Sequence, residues 1–151
     1  MKTVFIKISF SLLLLSVLGV GCEKNNEDGQ NSNITLYDKP LSTIKSNIQG
    51  KWELHYGKGG ICATCIQYVD STYWEFTNND KILKYYDKDI VLDTSIMWYK
   101  DVDNFSGLTY IMQFYDNYGY PSNYVIDGIY EDTLIIHDFS SDAVFYRFTK
   151  Q

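Results

Sequence analysis

The sequence has 151 residues and a net charge of −6, with 19 acidic side chains against 13 basic ones. That balance leaves no basic patch to neutralise phosphates, which argues against nucleic acid as a partner and against a peripheral hold on anionic lipid. Aromatic residues make up 17% of the chain, including 14 tyrosines, a usage that favours strands over helices.

At the N-terminus, Lys2 and Lys7 lead into an apolar run from Ile8 to Val20, followed by small residues and Cys22. This is the layout of a secretory signal peptide over 1–21, and the run is short for a transmembrane helix. A cysteine directly after a small residue at the end of such a run resembles a bacterial lipobox, although Gly19 stands where leucine is usual. The resemblance implies that Cys22 takes lipid, becomes the first mature residue and anchors the protein to a membrane. Removal of 1–21 takes away Lys2 and Lys7 and no acids, leaving 11 basic against 19 acidic side chains, a net charge of −8.

Residues 22–37 are predicted to be a disordered polar tether, since EKNNEDGQNSN after Cys22 has no apolar periodicity. Its acidic residues Glu23, Glu27 and Asp28 resemble the export signals of Bacteroidetes lipoproteins, which implies an outer-membrane location and leaves open display at the cell surface.

Residues 38–151 are read as one domain, large enough to bury a core without staples. Leu41, Ile44 and Ile48 in DKPLSTIKSNIQ have helical spacing, so a short helical turn precedes the first strand. Beyond it the chain is rich in β-branched and aromatic residues and punctuated by turn signals such as NND, DKD and DNYGYPSN. Strands are expected at 51–57, 65–77, 81–88, 93–100, 106–115, 122–130, 132–138 and 143–150. Eight strands in close succession point to an all-β, up-and-down antiparallel barrel, which removes exposed edges.

Alternation supplies the inner face: Trp52, Leu54 and Tyr56; Trp74 and Phe76; Leu108, Tyr110, Met112 and Phe114; Tyr124 and Ile126; Leu134 and Ile136; Val144, Tyr146 and Phe148. Odd positions carry Glu53, His55, Glu75, Asp127, His137 and Arg147, which places that face in solvent. KILKYYD and DTSIMWYK leave both parities open.

The QGKW stretch, with Gly50 and Trp52 at the start of the first strand after a helical entry, resembles the lipocalin and lipocalin-like families. The resemblance implies that Trp52 packs at the closed end of the barrel under an arginine from the last strand, the role Arg147 would take. The ending YEDTLIIHDFSSDAVFYRFTK is similar to lipocalin-like domains common in Bacteroidetes lipoproteins. That likeness implies a fold and a location and no particular chemistry.

KGGICATCIQY, residues 58–68, holds Cys62 and Cys65 in the first loop, at the open end. The pair leads into a strand rather than a helix N-terminus, which argues against thioredoxin-type chemistry. With no second cysteine pair and two histidines on separate strands, it also lacks the ligands of a zinc site. In an oxidising compartment a local disulfide between Cys62 and Cys65 is the favoured reading, with no metal and no cofactor. DVDNFSG begins like a calcium loop, but Phe105 replaces a ligand and no glutamate follows, so it reads as a turn. No nucleophile elbow, phosphate loop or HExxH helix is present, so catalysis is not expected.

Two functional readings follow. In the first, the barrel carries a small, largely apolar ligand in or at its mouth, with Tyr68, Asp70, Thr72, Trp74, Tyr110 and Met112 as contacts. In the second, the barrel is filled, and rim loops such as the one with Tyr115, Tyr118 and Tyr120 bind a protein or a glycan.

Overall fold

The computed structural model describes residues 33–151, so the expected signal peptide, Cys22 and most of the tether lie outside the described residues. After β1 (Ile34–Thr35), Pro40 introduces α1 (Leu41–Ile48), the one helix among the described residues, which buries Ile44 and Ile48, one turn apart on one face. Nine further strands follow: β2 (Gly50–Gly59), β3 (Cys62–Phe76), β4 (Lys81–Tyr86), β5 (Asp89–Ser95), β6 (Met97–Asp103), β7 (Gly107–Tyr115), β8 (Pro121–Tyr130), β9 (Thr133–Asp138) and β10 (Val144–Lys150). All pairings are antiparallel, in the order β5-β4-β3-β2-β10-β9-β8-β7-β6, with β1 added to β8.

The class is all-β, as the composition indicates, but the sheet is not closed by hydrogen bonds. Its break falls between β5 and β6, inside the segment expected to be one strand over 93–100. Ile96 causes it. Its side chain is buried, and its amide donates to the Asp80 carbonyl in the β3–β4 turn at 2.7 Å instead of to a neighbouring strand. The two strand edges so exposed carry Asp89, Asp93, Lys100 and Asp101, charges that discourage pairing with other chains.

The sheet curls around a filled interior. The Trp74 ring on β3 lies 5.0 to 6.4 Å from the rings of Phe76, Phe114, Tyr124, Tyr146 and Phe148, so opposite walls touch. Trp52, Ile82, Met112, Ile126, Leu134 and Ile136 complete this core, with Ile44 and Ile48 of α1 packed against it. Each such side chain contributes about 1.5–3 kcal/mol by leaving water.

On the outside, β1 takes the place beside β8 that the start of β7 would occupy, pairing Ile34 with Ile129 and Thr35 with Gly128. Glycine is required there, because a Cβ on Gly128 would stand 2.5 Å from the Ile34 carbonyl oxygen. As a result β7 pairs with β8 only from Ile111 onward. Its first half leaves the curled sheet with β6, and Leu108, expected inside, is 65% exposed.

The tip of that β6–β7 hairpin brings the Phe105 ring within 5.6 Å of His137 and 5.5 Å of Phe145. The outer parity is therefore not uniformly solvated. Ile111, Val125 and His137 are fully buried, and Asp127 and Arg147 are partly so, while His55 is exposed and Glu53 and Glu75 are half-buried.

Candidate functional site

At the end covered by α1, Gly50 adopts φ +109° and Trp52 is buried, its Nε1–H donating to the Ile48 carbonyl at 2.7 Å. That bond satisfies a carbonyl left free at the end of the helix. The cation over the Trp52 ring is Lys150, at 5.3 Å, whereas Arg147 lies 5.6 Å from the Tyr56 ring. Strand register explains the exchange: Lys150 stands opposite Trp52 and Arg147 opposite Tyr56, with a bulge between Arg147 and Phe148.

The six residues expected to contact a ligand do not converge. Tyr68 is 76% exposed on the outer ribbon, with its ring 5.9 Å from that of Tyr56, and Asp70 is exposed. Thr72 turns its hydroxyl back to the Asp70 carbonyl, Trp74 and Met112 belong to the packed interior, and half-buried Tyr110 lies under the Lys100 ammonium at 4.7 Å.

Cys62 and Cys65 are joined by a disulfide. Cys62 stands opposite Gly59 and Ile66 opposite Lys58, so residues 63–65 are looped out of the β2–β3 ribbon between them. Gly59 has φ +121°, and a Cβ on it would lie 2.4 Å from the Ala143 carbonyl oxygen. Only glycine lets the ribbon approach the start of β10 this closely. The Gly60 amide then donates to the same carbonyl at 3.1 Å.

Between this ribbon, the start of β10 and the hairpin tip lies a cleft of about 340 Å³, with Ala63, Phe105, Ala143 and Phe145 as apolar walls. Lys58 and Arg147 bring two cations to its lining and Asp142 one carboxylate. The cleft adjoins the disulfide loop on the outside of the sheet, and none of the six residues expected to bind a ligand lines it.

A buried polar chain underlies it. The Phe145 ring covers His137 at 4.8 Å, and the His137 Nε2 contacts the Asp103 carboxylate at 3.2 Å. The Asp103 Oδ2 also accepts the amides of Phe105 at 2.8 Å and Ser106 at 2.7 Å. Burial alone would push the Asp103 carboxyl up, but those amides and His137 outweigh it and hold the group below its ordinary range. On the other side of the ring, Nδ1 stands 3.7 Å from Asp127, too far for a hydrogen bond. Burial raises the Asp127 carboxyl, with Asp103 adding to the rise and His137 and Arg147 opposing it.

His137 thus has a carboxylate on either side and is flanked by the Phe105 and Phe145 rings. Its role is to fasten the hairpin tip to the sheet, which sets the cleft wall. Among the described residues no three histidine, cysteine or carboxylate side chains are arranged so that they could hold a metal ion. Sequence reasoning placed Asp103 in a turn, and Asp-x-x-Ser does cap one here; what the sequence does not show is that the turn folds onto β9.

No family model matches this chain, and neither a curated protein nor a solved structure is similar to it.

Proposed function

We propose that this protein is an envelope-anchored, non-catalytic binding lipoprotein with a lipocalin-like, barrel-shaped domain, held at the outer membrane through Cys22. Its ligand is small and largely apolar, carries a negative group, and sits in the cleft beside the disulfide ribbon instead of in the interior. The supporting observation is the cleft itself: about 340 Å³, walled by Phe105, Phe145, Ala63 and Ala143 and flanked by Lys58 and Arg147. That volume lies near the lower end of the ~300–1,000 Å³ typical of ligand sites. The guanidinium is suited to a carboxylate, since Arg147 Nη1 is buried without a hydrogen-bond partner among the described residues.

Native mass spectrometry of protein purified from its own envelope tests the reading. A small-molecule adduct is expected on the wild type and absent from Ala63→Trp, which fills the cleft from an exposed loop position. No adduct, or one unaffected by Ala63→Trp, defeats the cleft assignment. The packed interior and the exposed Tyr118 and Tyr120 favour, as a second reading, attachment of a protein or glycan to the β7–β8 loop. In that case Tyr118→Ser with Tyr120→Ser abolishes capture on the partner's surface and leaves the adduct unchanged.

A further inference from the structure

We propose that Lys84 is a nucleophilic amine at the open end of the sheet, placed to capture small apolar aldehydes as an imine. This site is separate from the cleft and rests on different residues. Lys84 lies on the inner face of β4, opposite Trp74 on β3 and Leu92 on β5. Its Nζ stands 3.9 Å from the centre of the Trp74 ring, 4.4 Å from Phe114 and 5.6 Å from Tyr124. Among the described residues no carboxylate lies within ion-pair distance of it.

The rings attract an ammonium but accept none of its three hydrogen bonds as water would, so the lost hydration outweighs that attraction and the cup favours the free amine. Burial accordingly lowers the Lys84 pKa from 10.5 to about 7, with the Asp116 carboxylate opposing the fall. Even with the attraction of the ammonium to the rings set against this fall, the free-base fraction at neutral pH is roughly a hundredfold above that of an ordinary lysine. Desolvation of this kind is how lysines are made nucleophilic.

The geometry also selects the electrophile. The cup is walled by rings, which favours an apolar and particularly an aromatic carbonyl compound. The next inner residue on β4, Tyr86, is 63% exposed, so the approach to Lys84 from the end opposite α1 is not sealed. The packed core below limits the ligand to a small one.

In the reaction the Nζ lone pair forms a C–N bond to the carbonyl carbon. The carbonyl oxygen takes up two protons and leaves as water, the amine loses both of its own, and the product is a C=N bond with no change of oxidation state. Tyr124, whose hydroxyl is pushed up to about 12 by burial, stays protonated in the wall of the cup, and the protons taken up by the departing oxygen come from solvent at the open end.

The experiment treats the folded protein near neutral pH with benzaldehyde and cyanoborohydride, which traps any imine as a secondary amine, and maps the product by peptide mass spectrometry. Lys84 is expected to carry the benzyl group at least tenfold above any other lysine, within the roughly hundredfold free-base advantage. Glyoxylate, a small charged aldehyde, is expected to lose that preference, as is the wild type unfolded in urea. Lys84→Arg removes the labelled peptide. Modification spread evenly over exposed lysines such as Lys58 and Lys88 overturns the proposal. So does equal labelling by the two aldehydes, or a preference for Lys84 that survives unfolding.

Discussion

Replacing Lys84 by methionine should stabilise the protein at low and neutral pH and remove a pH dependence that the wild type shows. At about 1.36 kcal/mol per pKa unit, the fall from 10.5 to about 7 disfavours the half-buried ammonium by at most ~5 kcal/mol. Attraction of the ammonium to the Trp74 and Phe114 rings returns about 0.5–2 kcal/mol, leaving a net cost of roughly 3–4 kcal/mol. Because the folded value lies below the unfolded one, this cost is fully present below about pH 7. It fades as pH rises toward 10.5, above which the amine is neutral in both states. Methionine keeps the unbranched stem and carries no charge, so the cup stays filled. Urea midpoints of both proteins, compared at about pH 6 and about pH 10, should show Lys84→Met ahead by ~3 kcal/mol at the lower pH and by little at the higher. An equal or lower stability of Lys84→Met near pH 6, or a gap that does not change with pH, refutes the reasoning.

Trp52→Ala should cost ~3–5 kcal/mol as a large core truncation. In double-mutant cycles it should couple to Lys150→Ala and add independently to Arg147→Ala, because Lys150 is the cation over its ring. Asp103→Asn should cost ~1–3 kcal/mol through the loss of its charged hydrogen bonds. The Asp103 carboxyl is held low, so its contribution is present above the ordinary carboxylate pKa and disappears as pH falls through the folded value; the variant's acid-unfolding curve should be flatter. Cys22→Ser should move the protein from the membrane to the soluble fraction, as read by fractionation and blotting, and retention in the membrane would count against lipidation at that residue.

The inner face was legible at Trp52, Trp74, Ile126, Leu134 and Phe148, because a period of two is set by the pleat of each strand alone. It failed at Leu108, whose position depends on β1 displacing β7 from β8, a contact between residues far apart in the chain. The same displacement buries His137 on a parity that reads as solvent. The ambiguity of DTSIMWYK was itself a signal, since the strand breaks inside it at Ile96. At the cleft, the disulfide ribbon was visible as a rim feature from its glycines and cysteines. The other wall was not, because Phe105 belongs to a local turn and only tertiary packing brings it to Phe145.

The break between β5 and β6, two strands adjacent in the chain, has a consequence for synthesis. Cohesion of the sheet rests instead on β2 with β10, which joins the two ends of the domain. Such a pairing has a high contact order and forms late, after a loop spanning most of the domain has closed. Neither β2 nor β9 finds its second neighbour until the seven-residue β10 has left the ribosome. A nascent chain therefore stays unfinished until β10 has been made, and a truncation that removes β10 would leave the entire meander without its clasp.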